Sequence, residues 1–279
     1  MKVAYFGGDW FLSCINAWES LGHEVSHVFV AGEEVYNQQL RDWANVSNRP
    51  LLTHKPTVGH LQQLQNDDVD CLFCVEYPWL IPTTHFDFKT INVHPSLLPE
   101  GKGPTPVSWI VHSKQAHAGI TFHKLADTFD TGDIIYQKPL SVSKDDTLDT
   151  FLAKLELEIP KTLTELLIDF DNRYSNAQPQ SGGSYWPKMT LNDRQIRWDS
   201  SCQIIRQQVK AAGQFGVALA IGKELLLVRH VQCVEHTHNL KSGILFKEDD
   251  RFYFITLIDG LCVIDKSCIL ERQALNIAE

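Results

Sequence analysis

Short apolar runs alternate with amphipathic segments over the first 125 residues, and this alternation limits the possible folds more than any other feature. Lys2 to Phe6 and Glu24 to Val30 have the composition of buried strands. Between them, Trp10 to Leu21 has the periodicity of an amphipathic helix that Gly22 closes. The alternation predicts a Rossmann-like, doubly wound, mostly parallel sheet. The further predicted elements are helices at 33–45 and 60–65 and strands at 50–53 and 69–75.

The strongest chemical signal is the stretch Asn92-Val93-His94-Pro95-Ser96-Leu97-Leu98-Pro99, which follows an extended segment at Thr90 and Ile91. Asn92 and His94 are two residues apart, so on a strand both side chains project to the same face. Polar groups at the carboxyl end of a parallel strand lie where open α/β sheets bind ligands. There a carboxamide can polarise a carbonyl group while an imidazole moves a proton.

A second polar segment completes the first. A predicted strand at 119–125 leads into Asp127-Thr128-Phe129-Asp130-Thr131-Gly132-Asp133, a turn rich in the residues that functional loops favour, and a strand at 133–138 follows. If the strands before the two segments belong to one sheet, the Asp130 carboxylate can reach His94. Asn92, His94 and Asp130 would then form one cluster.

These two motifs resemble those of the formyltransferases that use 10-formyltetrahydrofolate. The matching residues are Asn-x-His-Pro-Ser-Leu-Leu-Pro and Phe-Asp-Thr-Gly-Asp-Ile, and His94 and Asp130 are 36 positions apart, as the family spacing requires. The resemblance implies that Asn92, His94 and Asp130 are the catalytic residues and that 10-formyltetrahydrofolate is the co-substrate. Thr121 and His123 match the strand before the family's Asp loop.

The resemblance also implies where the folate binds. The segment containing Tyr77, Trp79, Leu80 and Ile81 corresponds to the apolar part of the family's folate pocket, and core packing is the alternative for each residue. We assign Asp127 and His123 to the same pocket, although Asp127 is equally suited to stabilising its turn and His123 to fixing the loop. Lys102 could meet an anionic group of the acceptor, or it could be a solvated lysine.

The C-terminal part has a different pattern. A long helix is predicted at 147–170, broken or kinked near Pro160, and the polar stretch 171–183 is predicted to be a linker or exposed loop. Ser200 or Ser201 can cap a helix that runs to Ala212. Short predicted strands follow at 216–221, 224–234, 242–247, 251–258 and 260–264, which is typical of a small all-β domain. We therefore predict a catalytic domain at 1–185, a connector at 171–198 and an OB-like domain, as the resemblance implies, at 199–279.

Composition excludes several classes of protein. The net charge is −9, the acidic excess lies entirely in residues 1–189, and no basic footprint of a nucleic-acid-binding protein is visible. No run approaches the roughly 18 apolar residues of a membrane span.

Seven scattered cysteines suit reduced thiols, and with no leader pattern they favour a cytoplasmic protein. Cys71 and Cys74 have a metal-like spacing, but nothing completes a site, so we expect no metal. The full Gly-x-Gly-x-x-Gly fingerprint is missing, so a dinucleotide is not indicated.

The acceptor is the least constrained part of the prediction. The segment after the second strand, Ala31-Gly32-Glu33-Glu34-Val35-Tyr36, is acidic where the tRNA branch of the family carries basic residues. We therefore expect a small-molecule amine, most plausibly on a nucleotide-linked sugar, and a possible homodimer. Three alternatives remain: a methionyl-tRNA formyltransferase, a 10-formyltetrahydrofolate hydrolase and a non-catalytic folate-binding module.

Overall fold

The computed structural model describes residues 1–32 and 36–274, and its contacts divide the chain into two compact units. The first unit comprises Met1–Pro106, His117–Ser141 and Ala153–Trp186. It contains a seven-stranded sheet in the order β3-β2-β1-β4-β5-β6-β7. The strands are β1 (Lys2–Phe6), β2 (Glu24–Phe29), β3 (Leu51–Leu52), β4 (Cys71–Val75), β5 (Lys89–His94), β6 (Gly119–His123) and β7 (Ile134–Pro139).

The first five strands are parallel, and the chain direction reverses at β6 and again at β7. The helices between the strands are α1 (Ser13–Ser20), α2 (Gln38–Val46) and α3 (Val58–Asn66). Successive β4 side chains point to opposite faces, and both faces are covered. Phe73 meets Trp18 of α1 with ring centroids 5.7 Å apart, whereas Leu72 belongs to the core cluster that contains Leu61 of α3. The predicted mostly parallel, doubly wound sheet is therefore confirmed.

Three local predictions need correction. The helix expected at 33–45 begins at Gln38, and residues 33–35 lie outside the part of the chain that the structure describes. Of the break or kink expected near Pro160, the break is wrong, because helix α5 (Leu148–Leu167) continues through this residue. Its apolar stripe of Leu155, Ile159 and Leu163 is buried on both sides of the proline, and this burial favours a continuous helix over a break.

The predicted linker is partly helical. Helix α6 (Phe170–Ser175) begins where the loop was expected, and buried Phe170 anchors it. The Tyr174 hydroxyl accepts a hydrogen bond of 3.0 Å from the Thr90 backbone N–H at the start of β5. Further along, Gln178 exchanges backbone hydrogen bonds with Ile134, the first residue of β7. This polar segment is therefore part of the first unit's architecture.

The second unit comprises Val107–Ala116, Val142–Leu152 and Pro187–Glu279. Its helix α7 (Cys202–Ala212) is capped by Ser201, whose hydroxyl accepts from the Ile204 N–H as predicted. Two antiparallel sheets follow, in the orders β10-β13-β12-β11 and β14-β9-β8. The strands are β8 (Val217–Ile221), β9 (Glu224–Val228), β10 (Gln232–Glu235), β11 (Leu245–Glu248), β12 (Phe252–Thr256), β13 (Gly260–Asp265) and β14 (Ile269–Ala274). The strand predicted at 224–234 is two strands, β9 and β10, and β14 was not predicted.

The small all-β C-terminal domain of the predicted fold class is confirmed by these sheets. One remaining helix, α4, spans Pro106–Ser113. Within the described ranges 1–32 and 36–274, no helix combines the length and the apolarity needed to cross a membrane.

Candidate active site

The polar side chains of the two motifs meet at the ends of β5 and β6. These strands are antiparallel neighbours, with Asn92 opposite His123 and His94 opposite Thr121. Directly opposed residues in a β ladder share a face, so the four side chains lie on one side of the sheet. His94 and His123 are buried, with 4% and 2% of their surface exposed. The prediction that both motif strands belong to one sheet is confirmed.

His94 lies between two hydrogen-bond acceptors. Its Nε2 is 2.8 Å from the Gly101 carbonyl oxygen, and its Nδ1 is 3.3 Å from Asp130 Oδ1. Neutral imidazole has only one N–H, so it can donate to one of these oxygens but not to both. The arrangement matches an imidazolium that donates from both nitrogens. When His94 is protonated, both of its N–H groups therefore have acceptors within the protein, and its charge is buried at the end of β5.

Asp130 has the left-handed backbone conformation, with φ of +59°, which non-glycine residues seldom adopt. Its Oδ2 accepts 2.9 Å from the Gly103 N–H, and the Gln180 amide donates to its backbone carbonyl at 3.0 Å. Burial raises the pKa of Asp130, but the hydrogen bond and positive charge of His94, together with the Gly103 N–H, outweigh this and hold the pKa below its usual value. Asp130 is therefore ionised across the physiological range.

His123 is held in the neutral form by its surroundings. Burial, and then the neighbouring His94, lower the pKa of His123 to about 4, against the opposing effect of Asp130. Its Nδ1 is 2.8 Å from the Lys124 carbonyl oxygen and must donate to it, which leaves Nε2 as an acceptor. The Asn92 Nδ2 lies 2.9 Å from this Nε2. His123 thereby fixes which end of the Asn92 amide is NH₂ and leaves the second N–H of that group available for a substrate oxygen.

This charge state predicts a pH dependence of stability. Between pH 6.5, the usual pKa, and about pH 4, the unfolded chain protonates His123 and the folded chain does not. The unfolding free energy should therefore fall as the pH is lowered through this window, by about 3 kcal/mol at most. Chemical denaturation at several pH values should show a smaller slope in His123→Gln. The same slope in wild type and variant would contradict the assignment, and His54→Gln, on an exposed histidine, serves as the control.

Ser184 and Trp186 hold the loop at residues 101–103, which contacts both His94 and Asp130. The Lys102 N–H donates to the Ser184 carbonyl at 3.0 Å, and the Trp186 N–H donates to the Lys102 carbonyl at 2.7 Å. A side chain at Gly101 would meet the Trp186 ring, since a Cβ there would lie 2.6 Å from it. The carbonyl of Gly101 and the N–H of Gly103 are thus presented to the cluster from a fixed loop.

Only some of the residues predicted for the folate pocket lie around one depression in the structure. Leu80, Ile81 and Asp127 line a depression of about 430 Å³ together with Lys55, Pro56, Thr57, Val58, Pro82 and Ala126. The Asp127 carboxylate accepts 2.9 Å from the Thr84 hydroxyl. Tyr77 and Trp79 are half-buried and stack edge to face at 5.7 Å, and they are not among the described residues that line this depression. His123 does not line this depression and contacts Asn92 instead.

Several contributors were not predicted from the sequence. Gly101 and Gly103 contribute backbone groups, and Gln180 lies in a distant segment. None of the three was therefore predicted as a site residue. Lys102 was considered for an anionic ligand, but its Nζ donates to the Gly182 carbonyl at 3.2 Å. The Thr121 hydroxyl donates to Ser96 at 2.6 Å and so holds the turn after His94.

A carboxamide N–H, an imidazole and a carboxylate at one strand end are groups that can stabilise an oxyanion and accept a proton. Comparison with known proteins identifies the class. Residues 1–167 match the family model described as formyl transferase, and the chain belongs to this family. The chain is 31% identical over 261 residues to a methionyl-tRNA formyltransferase from Pelotomaculum thermopropionicum, covering 87% of this chain and 83% of that protein. The resemblance inferred from the motifs is therefore confirmed.

Solved structures share the fold. An N-formyltransferase from Helicobacter canadensis, in complex with folinic acid and dTDP-3-aminofucose, has a TM-score of 0.69 and 16% identity, covering 95% of this chain and 98% of that one. HypX from Aquifex aeolicus, in complex with tetrahydrofolic acid, has a TM-score of 0.67 and 18% identity over 95% of this chain. The present chain spans only 43% of the length of HypX. At these identities the comparison concerns the fold alone.

Proposed function

We propose that this protein is an N-formyltransferase that moves the formyl group of 10-formyltetrahydrofolate to the amine of a small molecule. The observation that carries the proposal is the pairing of an ionised Asp130 with a doubly donating His94 beside the free N–H of Asn92. Formyl transfer to an amine requires stabilisation of a negative oxygen and removal of a proton, and these three groups supply both.

The reaction can be followed atom by atom. The amine nitrogen attacks the formyl carbon, and the carbonyl electrons move to the oxygen, which becomes an oxyanion. The Asn92 N–H donates to that oxygen while the charge of His94 stabilises it, because both His94 nitrogens are already bonded within the protein. Asp130 takes the amine proton through a water molecule. Collapse of the intermediate breaks the bond from carbon to N10, and the proton passes to N10 as tetrahydrofolate leaves.

The depression lined by Leu80, Ile81 and Asp127 supports the folate assignment. Leu80 and Ile81 give it apolar walls, and Asp127 and Lys55 place charged groups at its edge. A flat heterocycle with hydrogen-bonding edges suits such a lining. The folinic acid and tetrahydrofolic acid in the two structural neighbours further support 10-formyltetrahydrofolate as the co-substrate.

For the acceptor we favour a nucleotide-linked amino sugar. Five basic side chains of the C-terminal unit bind carboxylates and are therefore engaged before any RNA backbone approaches. The pairs are Arg197–Asp199, Arg206–Glu235, Arg251–Asp265, Lys266–Glu248 and Arg272–Glu224. Binding phosphates would compete with these pairs, and the net charge of −9 opposes approach to RNA. The dTDP-3-aminofucose in the Helicobacter structure supports the same choice.

A methionyl-tRNA acceptor is the second candidate, favoured by the name of the sequence relative that the chain covers over most of its length. This candidate requires tRNA binding that weakens steeply as salt rises. A hydrolase of 10-formyltetrahydrofolate is the third candidate.

One assay separates the three candidates. Release of tetrahydrofolate from 10-formyltetrahydrofolate is followed with no acceptor, with dTDP-3-aminofucose and related dTDP-linked amino sugars, and with initiator methionyl-tRNA. We expect release to depend on an amino sugar and formylated sugar to accumulate in equal amount. Stimulation by the tRNA alone would replace the proposed acceptor, and equal release without any acceptor would identify a hydrolase.

A further inference from the structure

A carboxylate with no assigned role lies at the crevice where the parallel sheet changes its winding direction. Glu76 directly follows Val75, the last residue of β4, and has a φ of +55°. Non-glycine residues seldom adopt this left-handed conformation, and those that do are concentrated at functional sites. Ligands of open α/β sheets bind in this crevice, which here lies between the ends of β1 and β4.

The strand register places Glu76 level with the catalytic histidine. Val75 pairs with Val93 in the parallel β4–β5 ladder, so the next position on β4 corresponds to His94 on β5. Neighbouring strands lie about 4.8 Å apart. On the other side Cys74 pairs with Phe6, so Glu76 also borders the turn at Gly7 and Gly8. A substrate that extends from His94 toward this turn must pass over Glu76.

The two acidic residues at this crevice differ in their partners. The Asp9 carboxylate already has hydrogen-bond partners, since it accepts from the Gln39 and Leu40 N–H groups at 3.0 and 2.9 Å. In the part of the chain that the structure describes, no hydrogen bond or ion pair involves the Glu76 carboxylate. The Glu76 residue is exposed to solvent overall. Partial burial of its carboxyl group nevertheless raises the pKa of that group. Its charge also contributes, after burial and Cys14, to the raised pKa of Tyr5 on β1.

The proposed reaction leaves one proton without an acceptor. An aliphatic amine is an ammonium ion near neutral pH, so it must lose one proton before it can attack and a second one after the new carbon–nitrogen bond has formed. Asp130 takes the second proton, and its two oxygens face His94 and the Gly103 N–H, so the first proton needs another acceptor. An unpaired carboxylate beside the reaction centre fits the first role.

We propose that Glu76 binds the ammonium group of the acceptor, orients it toward the formyl carbon and takes its first proton, leaving a neutral amine and a protonated Glu76. This role rests on the proposed transfer to a small-molecule amine. It also gives a reason for a glutamate at a backbone position that glycine would occupy without strain.

The test compares Glu76→Gln, which keeps the shape and removes the charge, with the wild-type protein. The acceptors are the dTDP-linked amino sugars of the preceding assay. We expect the KM for the amino sugar to rise at least about tenfold, as for loss of a charged hydrogen bond. The KM for 10-formyltetrahydrofolate and the slow release without acceptor should be unchanged. The fall in wild-type kcat/KM at acidic pH should flatten in the variant.

Asp68→Asn is the matched control. Asp68 also has a left-handed backbone, with φ of +54°, and is exposed, but it precedes β4 at the opposite edge of the sheet. An unchanged KM for the amino sugar in Glu76→Gln would overturn the role of Glu76 alone. A parallel loss of acceptor-free release would indicate a structural role instead. If the wild-type protein formylates none of these sugars, the proposed function fails, and the role of Glu76 fails with it.

Discussion

Replacing His94 by alanine should lower the turnover number at least about a hundredfold, because the substitution removes the imidazole that is proposed to stabilise the oxyanion. Asp130→Asn should cause a loss of similar size. The carboxylate accepts from His94 and Gly103 and is the proposed proton acceptor, and an amide can perform neither role in the same way. Steady-state release of tetrahydrofolate with the preferred acceptor measures both effects.

The control is Asp133→Asn, which changes a carboxylate in the same loop that pairs with Lys124 at 3.6 Å on the surface. We expect this variant to keep most of the wild-type rate. Because His94 and Asp130 act as one unit, the double variant should be little slower than the worse single variant. A His94→Ala protein with near wild-type turnover would refute the catalytic assignment, and fully additive losses would show that the two residues act separately.

The sequence predicted the part of the site that follows from the alternation of side chains along a strand and from the pairing of neighbouring strands. Asn92 and His94 had to share a face because they are two residues apart on a strand, and Asp130 had to be near because β5 and β6 are neighbours. The hydrogen bond from His94 to Gly101 could not be anticipated in this way. It depends on the path of the chain after Pro99, where Ser184 and Trp186 of a distant segment hold the loop.

The errors in the fold prediction have a common physical origin. The stretch 171–183 is polar, which locally favours a loop, but its polar groups serve as hydrogen-bond partners for other elements. Tyr174 accepts from Thr90, and Gln180 donates to the carbonyls of Asp130 and Gly132. Pro160 similarly predicts a break, yet the buried stripe of α5 continues past it. In each case tertiary contacts outweigh the local preference, and a single sequence contains no direct record of those contacts.

Replacing Gly132, two residues after Asp130, should also have a large effect on turnover and stability. A Cβ at this position would lie 1.9 Å from the Lys124 carbonyl oxygen, so alanine can be accommodated only if the backbone moves. That same oxygen accepts from His123 Nδ1, and the Lys124 N–H donates to Asp133 at 2.9 Å. Gly132→Ala should therefore displace both the Asp130 loop and the histidine that orients Asn92.

We expect Gly132→Ala to lower turnover at least about a hundredfold and the unfolding free energy by about 1–3 kcal/mol, the usual cost of an overpacked site. Gly59→Ala is the matched control, because the nearest atom to its Cβ would be Thr57 Oγ1 at 3.7 Å, an ordinary contact. Chemical denaturation and the release assay measure the two properties on the same samples. If Gly132→Ala were as active and as stable as Gly59→Ala, the loop would tolerate the displacement. The catalytic geometry would then not depend on the contact between Gly132 and Lys124, and the positioning role of His123 would need another explanation.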